Sequence, residues 1–180
     1  MSKFTTKITT RLQKFIEAQK IFFVATAPNS GRINLSPKGM DSFRVINENR
    51  VLWLNVTGSG NETAAHLLEN ERITIMFCAF EGAPSILRLY GKGKEIKPSD
   101  KGWNEVISLF PETPGTRQIF DITIESTQIS CGMSIPFYEY NEERNQLNDW
   151  AIEQGKEKIE QYWRERNQTS IDGLPTKIVR

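Results

Sequence analysis

The fold is decided by residues 51–68, which read VLWLNVTGSGNETAAHLL. Apolar and β-branched residues predict a β-strand over Val51–Val56. The strand breaks at Gly58-Ser59-Gly60, and we expect a helix from about Glu62 with Asn61 as its N-cap. A glycine-rich turn before a helix exposes backbone N–H groups at the positive end of the helix dipole. The stretch therefore predicts an anion site, which we interpret as a phosphate cradle.

Three hydroxyl groups in and around this turn, those of Thr57, Ser59 and Thr63, add further hydrogen-bond donors. The turn does not match a P-loop, because the Gly-Lys-Ser/Thr ending is absent, and it lacks the third glycine of a dinucleotide fingerprint. The alternative is a strand, a tight turn and a capped helix that bind no ligand. The stretch alone leaves both interpretations open.

The composition is that of a single globular domain without a nucleic-acid or membrane partner. The chain has 180 residues, 25% of them charged, and a net charge of +1, so nothing attracts it electrostatically to nucleic acid or to an anionic membrane. No apolar run approaches the ~20 residues of a membrane span. The first residues lack a secretory apolar core, so we expect a cytoplasmic protein. Cys78 and Cys131 are too few for a disulfide framework or a four-cysteine metal site.

The rest of the chain predicts about six or seven antiparallel strands with short helices inserted between them. Tight turns join the strands, and the interior glycines Gly91 and Gly93 indicate a bulge or a sharp barrel bend. These features favour a closed or nearly closed small barrel, and the missing βαβ alternation argues against a Rossmann fold. The predicted strands are 21–27, 32–36 (ended by Pro37-Lys38-Gly39), 43–46, 51–56, 73–80, 86–96 and 120–129, and the predicted helices are 9–18, 61–69, 98–109 and 147–166.

Several side chains carry more than one interpretation. His66, the only histidine, has no Cys or His at ligand spacing, so a structural role is favoured over a metal site. Cys131 follows a strand and precedes a glycine, but no base is visible to activate it. Lys38 at a strand end is either an exposed turn lysine or a phosphate ligand. Arg88 within an apolar strand is either an outward-facing charge or a partner for an ion or ligand.

Five motifs follow one another along the first half of the chain: FVATA at 23–27 followed by Gly31, NLSPKG at 34–39, GNET at 60–63, LLENERI at 67–73 and LRLYGKG at 87–93. This ordered set resembles the pyridoxamine 5′-phosphate oxidase-like family of FMN-binding split barrels. The C-terminal part is similar to one branch of that family, through SCG at 130–132, Pro136, YEY at 138–140, Trp150 and SIDGLP at 170–175.

The resemblance implies a mainly β protein with helices: a six-stranded antiparallel split barrel of Greek-key order in one domain, residues 1–180, with a helical extension from about 141. It also implies a homodimer with two FMN sites at the subunit interface. Asn55 would lie near the isoalloxazine, and Arg88, Cys131 and Trp150 would come from the partner subunit. The phosphate ligands carried over from the family are Ser36, Lys38, Thr57, Ser59, Asn61, Glu62 and Thr63.

Two departures from pyridoxamine phosphate oxidases concern the substrate. Those enzymes have a basic pair beside the phosphate turn, whereas this turn reads Gly58-Ser59-Gly60-Asn61. They also end in an arginine-containing substrate segment, which Arg164 and Arg166 do not reproduce. The expected function is therefore an FMN-dependent oxidoreductase acting on another small substrate. The alternative is a non-catalytic flavin- or haem-binding dimer, a carrier or sensor, with His66 as the one histidine able to ligate haem.

Overall fold

Within residues 3–178, one antiparallel sheet of eight strands forms the body of the protein, with four helices at its periphery. The structure, a computed structural model, describes residues 3–178. The elements are, in chain order, β1 (Lys3–Thr5), α1 (Thr10–Ala18), β2 (Phe22–Thr26), β3 (Asn34–Lys38), β4 (Phe43–Asn47), β5 (Arg50–Val56), α2 (Glu62–Asn70), β6 (Arg72–Cys78), β7 (Ile86–Ile96), α3 (Trp103–Ile107), β8 (Thr116–Ser130) and α4 (Gln146–Arg166).

The strand order is β3-β2-β6-β7-β8-β5-β4, and β1 pairs with the far end of β8. The expected mainly β architecture with peripheral helices is confirmed. The sequence pattern predicted about six or seven strands and the resemblance implied six, whereas the described residues contain eight, and the sheet runs from β3 to β4 without closing. The strand that sequence reasoning missed is β1, because three residues are too short to show an alternating pattern.

Aromatic side chains fill the space enclosed by the curved sheet. The ring of Phe22 lies 5.0 Å from that of Phe43 and 5.6 Å from that of Phe77, and Trp53 stacks on Phe120 at 4.9 Å. The outer face of β5 is also covered, because Leu52 and Leu54 pack against α3. Burial on both faces explains why β5 is continuously apolar rather than alternating. Its last residues are thereby held rigidly, directly before the glycine turn.

The predicted break at Pro37-Lys38-Gly39 is wrong at its first two positions. Pro37 lies within β3, opposite Phe23 of β2. Proline has no N–H to donate, but β3 is at the end of the sheet and pairs only with β2, so its outer edge needs no donor. The strand consequently carries Lys38 to its last position, beside the end of β5.

The predicted helices 98–109 and 147–166 differ from the observed ones in extent or continuity. Helix α3 is shorter than predicted because the Lys97 N–H donates to the Asp100 side chain at 2.8 Å, which holds these residues in a turn. Helix α4 is interrupted at Gly155, where φ is 70°. Across residues 3–178, no helix combines the length and the apolar character needed to span a membrane.

The interior glycine Gly91 marks a β-bulge, as expected. The register between β7 and β8 shifts between Tyr90 and Gly91. A Cβ atom on Gly91 would lie 2.1 Å from the carbonyl oxygen of Thr123 on β8. Only glycine allows this close approach of the two strands, which bend together at this point.

We predict that Gly91→Ala lowers the free energy of unfolding by about 1–3 kcal/mol, because the strands must separate to admit the methyl group. Urea unfolding followed by circular dichroism measures the change. The matched control is Gly102→Ala, since a Cβ there meets no atom within 4 Å and should change stability by less than about 0.5 kcal/mol. Equal stability of the two variants would contradict this explanation of the bulge.

Candidate functional site

A pocket of about 970 Å³ lies between the end of β3, the end of β5, the glycine turn and the start of α4. Its volume is within the range of ~300–1,000 Å³ that is common for small-molecule sites. Most of the residues predicted to bind a cofactor meet here, although they come from different elements. They are Ser36, Lys38, Asn55, Thr57, Ser59, Asn61, Glu62 and Thr63.

The carbonyl oxygens of the glycine turn, Gly58–Gly60, are held by two buried side chains. Gly58 O accepts a hydrogen bond from Asn167 Nδ2 at 3.1 Å, and Gly60 O accepts one from Arg117 Nη1 at 3.1 Å. The backbone N–H groups of Ser59 and Asn61 donate no hydrogen bond within residues 3–178. The turn therefore keeps backbone donors unused beside the pocket.

Asn61 occupies the N-cap position of α2, as predicted, but its side chain does not cap the helix. Its Oδ1 atom instead accepts a hydrogen bond from Gln118 Nε2 on β8 at 2.8 Å, and its buried Nδ2 atom has no partner in the described chain. The first N–H groups of a helix have no internal acceptor. Because Asn61 leaves them uncapped, the N-terminus of α2 can receive an anion.

Two cations with restricted exposure, the buried Arg117 and the half-buried Lys38, line this pocket without an acidic partner among the described residues. Arg117 is 3% exposed, and burial lowers the pKa of its guanidinium to about 10. The Nζ atom of Lys38 lies 5.3 Å from the centre of the Trp53 ring. Burial lowers the pKa of Lys38 to about 8, and repulsion by Arg117 contributes to the shift. Neither cation forms an ion pair within the part of the chain that the structure describes.

Other charged side chains line the pocket but leave that positive charge uncompensated. Asp41 pairs with Arg44, and Glu62 accepts a hydrogen bond from the Ile171 N–H at 3.1 Å. Because Lys38, Arg117 and the turn with its free N–H groups line the same pocket, the arrangement suits an anionic group. The charged residues on the pocket wall besides Lys38 and Arg117 are Arg32, Asp41, Glu62, Glu112, Glu143 and Arg144.

Sequence reasoning missed Arg117, since a single arginine at the start of a strand carries no local signal. The register of β5 and β8 brings it to the site, because Asn55 at the end of β5 lies opposite Gln118. Asn167 was also missed. It follows α4 directly, and its contact with the turn joins residues 109 positions apart in the chain.

The hydroxyl of Thr57 is already hydrogen-bonded to other parts of the fold. It donates a hydrogen bond to Gly115 O at 2.8 Å and accepts one from Trp163 Nε1 at 2.9 Å. Its proton is therefore used, and a phosphate could receive it only if the bond to Gly115 were broken. Ser59, in contrast, is exposed, and its hydroxyl forms no hydrogen bond among the described residues.

Three predicted residues, Arg88, Cys131 and Trp150, do not line the pocket of their own chain. Arg88 Nη1 donates to Ser130 Oγ at 3.1 Å, and the exposed Cys131 follows Ser130. Trp150 packs edge-on against Tyr162 with ring centres 5.7 Å apart. Their contribution from a partner subunit stays a prediction.

His66 has the structural role that the sequence favoured. The side chain is 1% exposed, and its Nδ1 atom lies 3.0 Å from Thr26 Oγ1. It does not line the pocket. Ligation of a haem by His66 would require the core to open.

Comparison with known proteins places these features in one family. Residues 8–131 match the sequence profile described as pyridoxamine 5′-phosphate oxidase. The chain is 33% identical to the pyridoxamine 5′-phosphate oxidase family protein UstO of Aspergillus flavus, over 97% of this chain and 78% of the relative.

Two solved structures share the fold at lower identity. A candidate pyridoxamine 5′-phosphate oxidase from Lactobacillus delbrueckii has a TM-score of 0.55 at 17% identity, over 68% of this chain and 94% of the other. The haem-storage protein HutZ from Vibrio cholerae has a TM-score of 0.50 at 18% identity, over 71% and 98%. The split-barrel fold that the motifs implied is thereby confirmed. The sequence match and the fold of this protein agree: the chain belongs to the pyridoxamine 5′-phosphate oxidase family.

Proposed function

We propose that this protein binds FMN in the pocket beside the glycine turn and acts, as a cytoplasmic homodimer, as an FMN-dependent oxidoreductase on a small substrate. The observation that carries the proposal is the pair of uncompensated cations, Lys38 and Arg117, next to the unused donors of the turn. Burying charge without a counterion is costly unless a ligand supplies one. A phosphate group would supply it.

The donors around the turn fit a phosphate group. The Lys38 ammonium offers three protons, and the N–H groups of Ser59 and Asn61 offer two more. The buried Asn61 Nδ2 and Arg117 Nε atoms also have no partner in the described residues. The family resemblance adds that the phosphate would be that of FMN, with Ser36 and Lys38 on one side and the turn on the other.

A bound flavin would supply the hydride and electron chemistry, and the chain's own residues would bind and orient it. Asn55 is 4% exposed at the end of β5 and would offer its amide to the polar edge of the ring. Trp53 underlies the Lys38 side chain and would exclude water from that end of the pocket. The role of the protein is thus positioning, and no residue is assigned as an acid or base.

The substrate proposed here is not pyridoxamine 5′-phosphate. Arg164 and Arg166 are exposed at the end of α4, and neither lines the pocket. The end of α4 therefore supplies no arginine to this pocket that could bind a second phosphate. We propose a small substrate without a phosphate group, which turnover assays would identify.

The homodimer is proposed from the position of three residues outside the pocket. Arg88, Cys131 and Trp150 match family positions, yet lie away from the pocket of their own chain. Apolar side chains near Cys131 are unusually exposed, with Met133 at 83% and Phe137 at 79%. A second subunit that covered them would bury apolar surface and bring these residues towards its partner's site.

The non-catalytic alternative, a flavin carrier or sensor, shares the same binding site and differs only in turnover. The haem alternative has a fold neighbour in HutZ, but a fold shared at 18% identity does not transfer a ligand. The buried position of His66 argues against it as the axial ligand.

We predict that the purified protein, mixed with FMN and dialysed, keeps a flavin absorption spectrum that NAD(P)H bleaches. The double variant Lys38→Glu with Ser59→Asp should stay folded and lose the flavin, because both changes place negative charge in the cradle. Absorption spectroscopy measures both. Flavin content equal to that of the wild type would rule out this cradle, and binding without bleaching would favour the carrier.

We also predict that FMN binds about tenfold more weakly at pH 9 than at pH 7. The protonated Lys38 ammonium binds the anion, and with a pKa of about 8 its protonated fraction falls about tenfold over that range. Arg117, with a pKa of about 10, stays mostly charged over this interval. Fluorescence titration at both pH values measures the affinity.

Lys38→Met is the control for this pH dependence. It should bind FMN more weakly at pH 7 and show no further loss between pH 7 and pH 9. A pH dependence that survives the substitution would show that another group titrates.

A further inference from the structure

We propose that Asn167 is a positioning residue that orients the glycine turn and keeps the Arg117 charge available for an anion. The inference rests on the proposed FMN site and concerns a residue outside the part of the chain, 8–131, that matches the family profile. Through this role of Asn167, the C-terminal segment becomes a component of the proposed cofactor site.

The side chain of Asn167 contacts both parts of the cradle. It is fully buried, donates from Nδ2 to Gly58 O at 3.1 Å, and accepts at Oδ1 from Arg117 Nη1 at 2.6 Å. The same Nη1 atom donates to Gly60 O at 3.1 Å. One amide and one guanidinium thus fix the two glycine carbonyls of the turn.

Fixing these carbonyls also fixes the N–H groups that would face an anion. In a planar trans peptide the N–H points opposite to the C=O, and the described chain has no cis peptide bond. The Gly58 carbonyl shares its peptide with the Ser59 N–H, and the Gly60 carbonyl shares its peptide with the Asn61 N–H. Both N–H groups therefore point away from Asn167 and Arg117.

Asn167 is neutral, and this determines the charge of the site. A carboxylate at this position would also accept the Arg117 hydrogen bond, but it would cancel the guanidinium charge. An amide satisfies the hydrogen bond and leaves the positive charge in place. Repulsion from Arg117 contributes to the lowered pKa of Lys38. The pKa of Lys38 therefore indicates whether the Arg117 charge is present.

Hydrogen bonds to residues before and after it in the chain fix the position of Asn167. Its backbone N–H bonds to Trp163 O at 3.0 Å at the end of α4, and its backbone O accepts from Thr176 Oγ1 at 2.5 Å. Trp163 in turn holds the end of β5 through Thr57. The amide is therefore pre-organised before any ligand arrives.

The test compares Asn167→Asp and Asn167→Ala with the wild type by FMN titration between pH 6 and pH 10. Asn104→Asp is the matched control, because Asn104 is exposed on α3 and does not line the proposed FMN pocket. Circular dichroism establishes that each variant is folded. The control should bind FMN like the wild type at every pH.

Asn167→Asp should weaken FMN binding at pH 7 at least tenfold, and the midpoint of its pH dependence should rise above that of the wild type. The rise is expected because the carboxylate offsets the repulsion between Arg117 and Lys38. Asn167→Ala should also weaken binding but leave the midpoint unchanged, since Arg117 stays charged. A residue with a merely structural role would not separate the two midpoints.

Folded variants that bind FMN within twofold of the wild type would overturn the inference. Loss of the fold in both variants would overturn it as well, because Asn167 would then support the whole barrel and not the turn. A wild-type protein that binds no FMN would overturn the proposed function itself, so the two failures are distinguishable.

Discussion

The buried guanidinium of Arg117 is the constraint on which the candidate site depends. An arginine that is 3% exposed loses most of its hydration, and such a loss is normally offset by a carboxylate. Here its described contacts are neutral, the carbonyl of Gly60 and the amide of Asn167. The Nη1 atom is hydrogen-bonded, but the buried Nε atom has no partner among the described residues, and no carboxylate offsets the charge. The fold therefore stores an electrostatic preference for an anion, and the second cation, Lys38, lies close enough to share it.

In the proposed site, the C-terminal residues complete a cradle that the sheet only begins. Strands β3 and β5 deliver Lys38 and the glycine turn, and β8 adds Arg117 through its register with β5. The end of α4 then locks the turn through Trp163 and Asn167.

Local patterns predicted those parts of the structure that local physics determines. Strand β7 was predicted with its observed ends, Ile86–Ile96, and the bulge at Gly91 follows from the glycine itself. Pro37 was interpreted as a break because its tolerance at a sheet edge depends on strand order. Arg117 and Asn167 escaped detection because their roles arise from contacts between residues 50 or more positions apart. The ordered family motifs predicted most of the residues that line the pocket. The buried charge of Arg117 became evident only from the fold.

The most direct test of the account compares the affinities of the wild-type protein for FMN and for riboflavin, which differ only in the phosphate group. If the cations and the turn form a phosphate cradle, FMN should bind at least a hundredfold more tightly at pH 7, since two charge-assisted contacts are lost with riboflavin. Titration by flavin fluorescence under identical salt conditions measures both constants. Equal affinities would contradict the account, because the uncompensated charges of Lys38 and Arg117 would then play no part in binding.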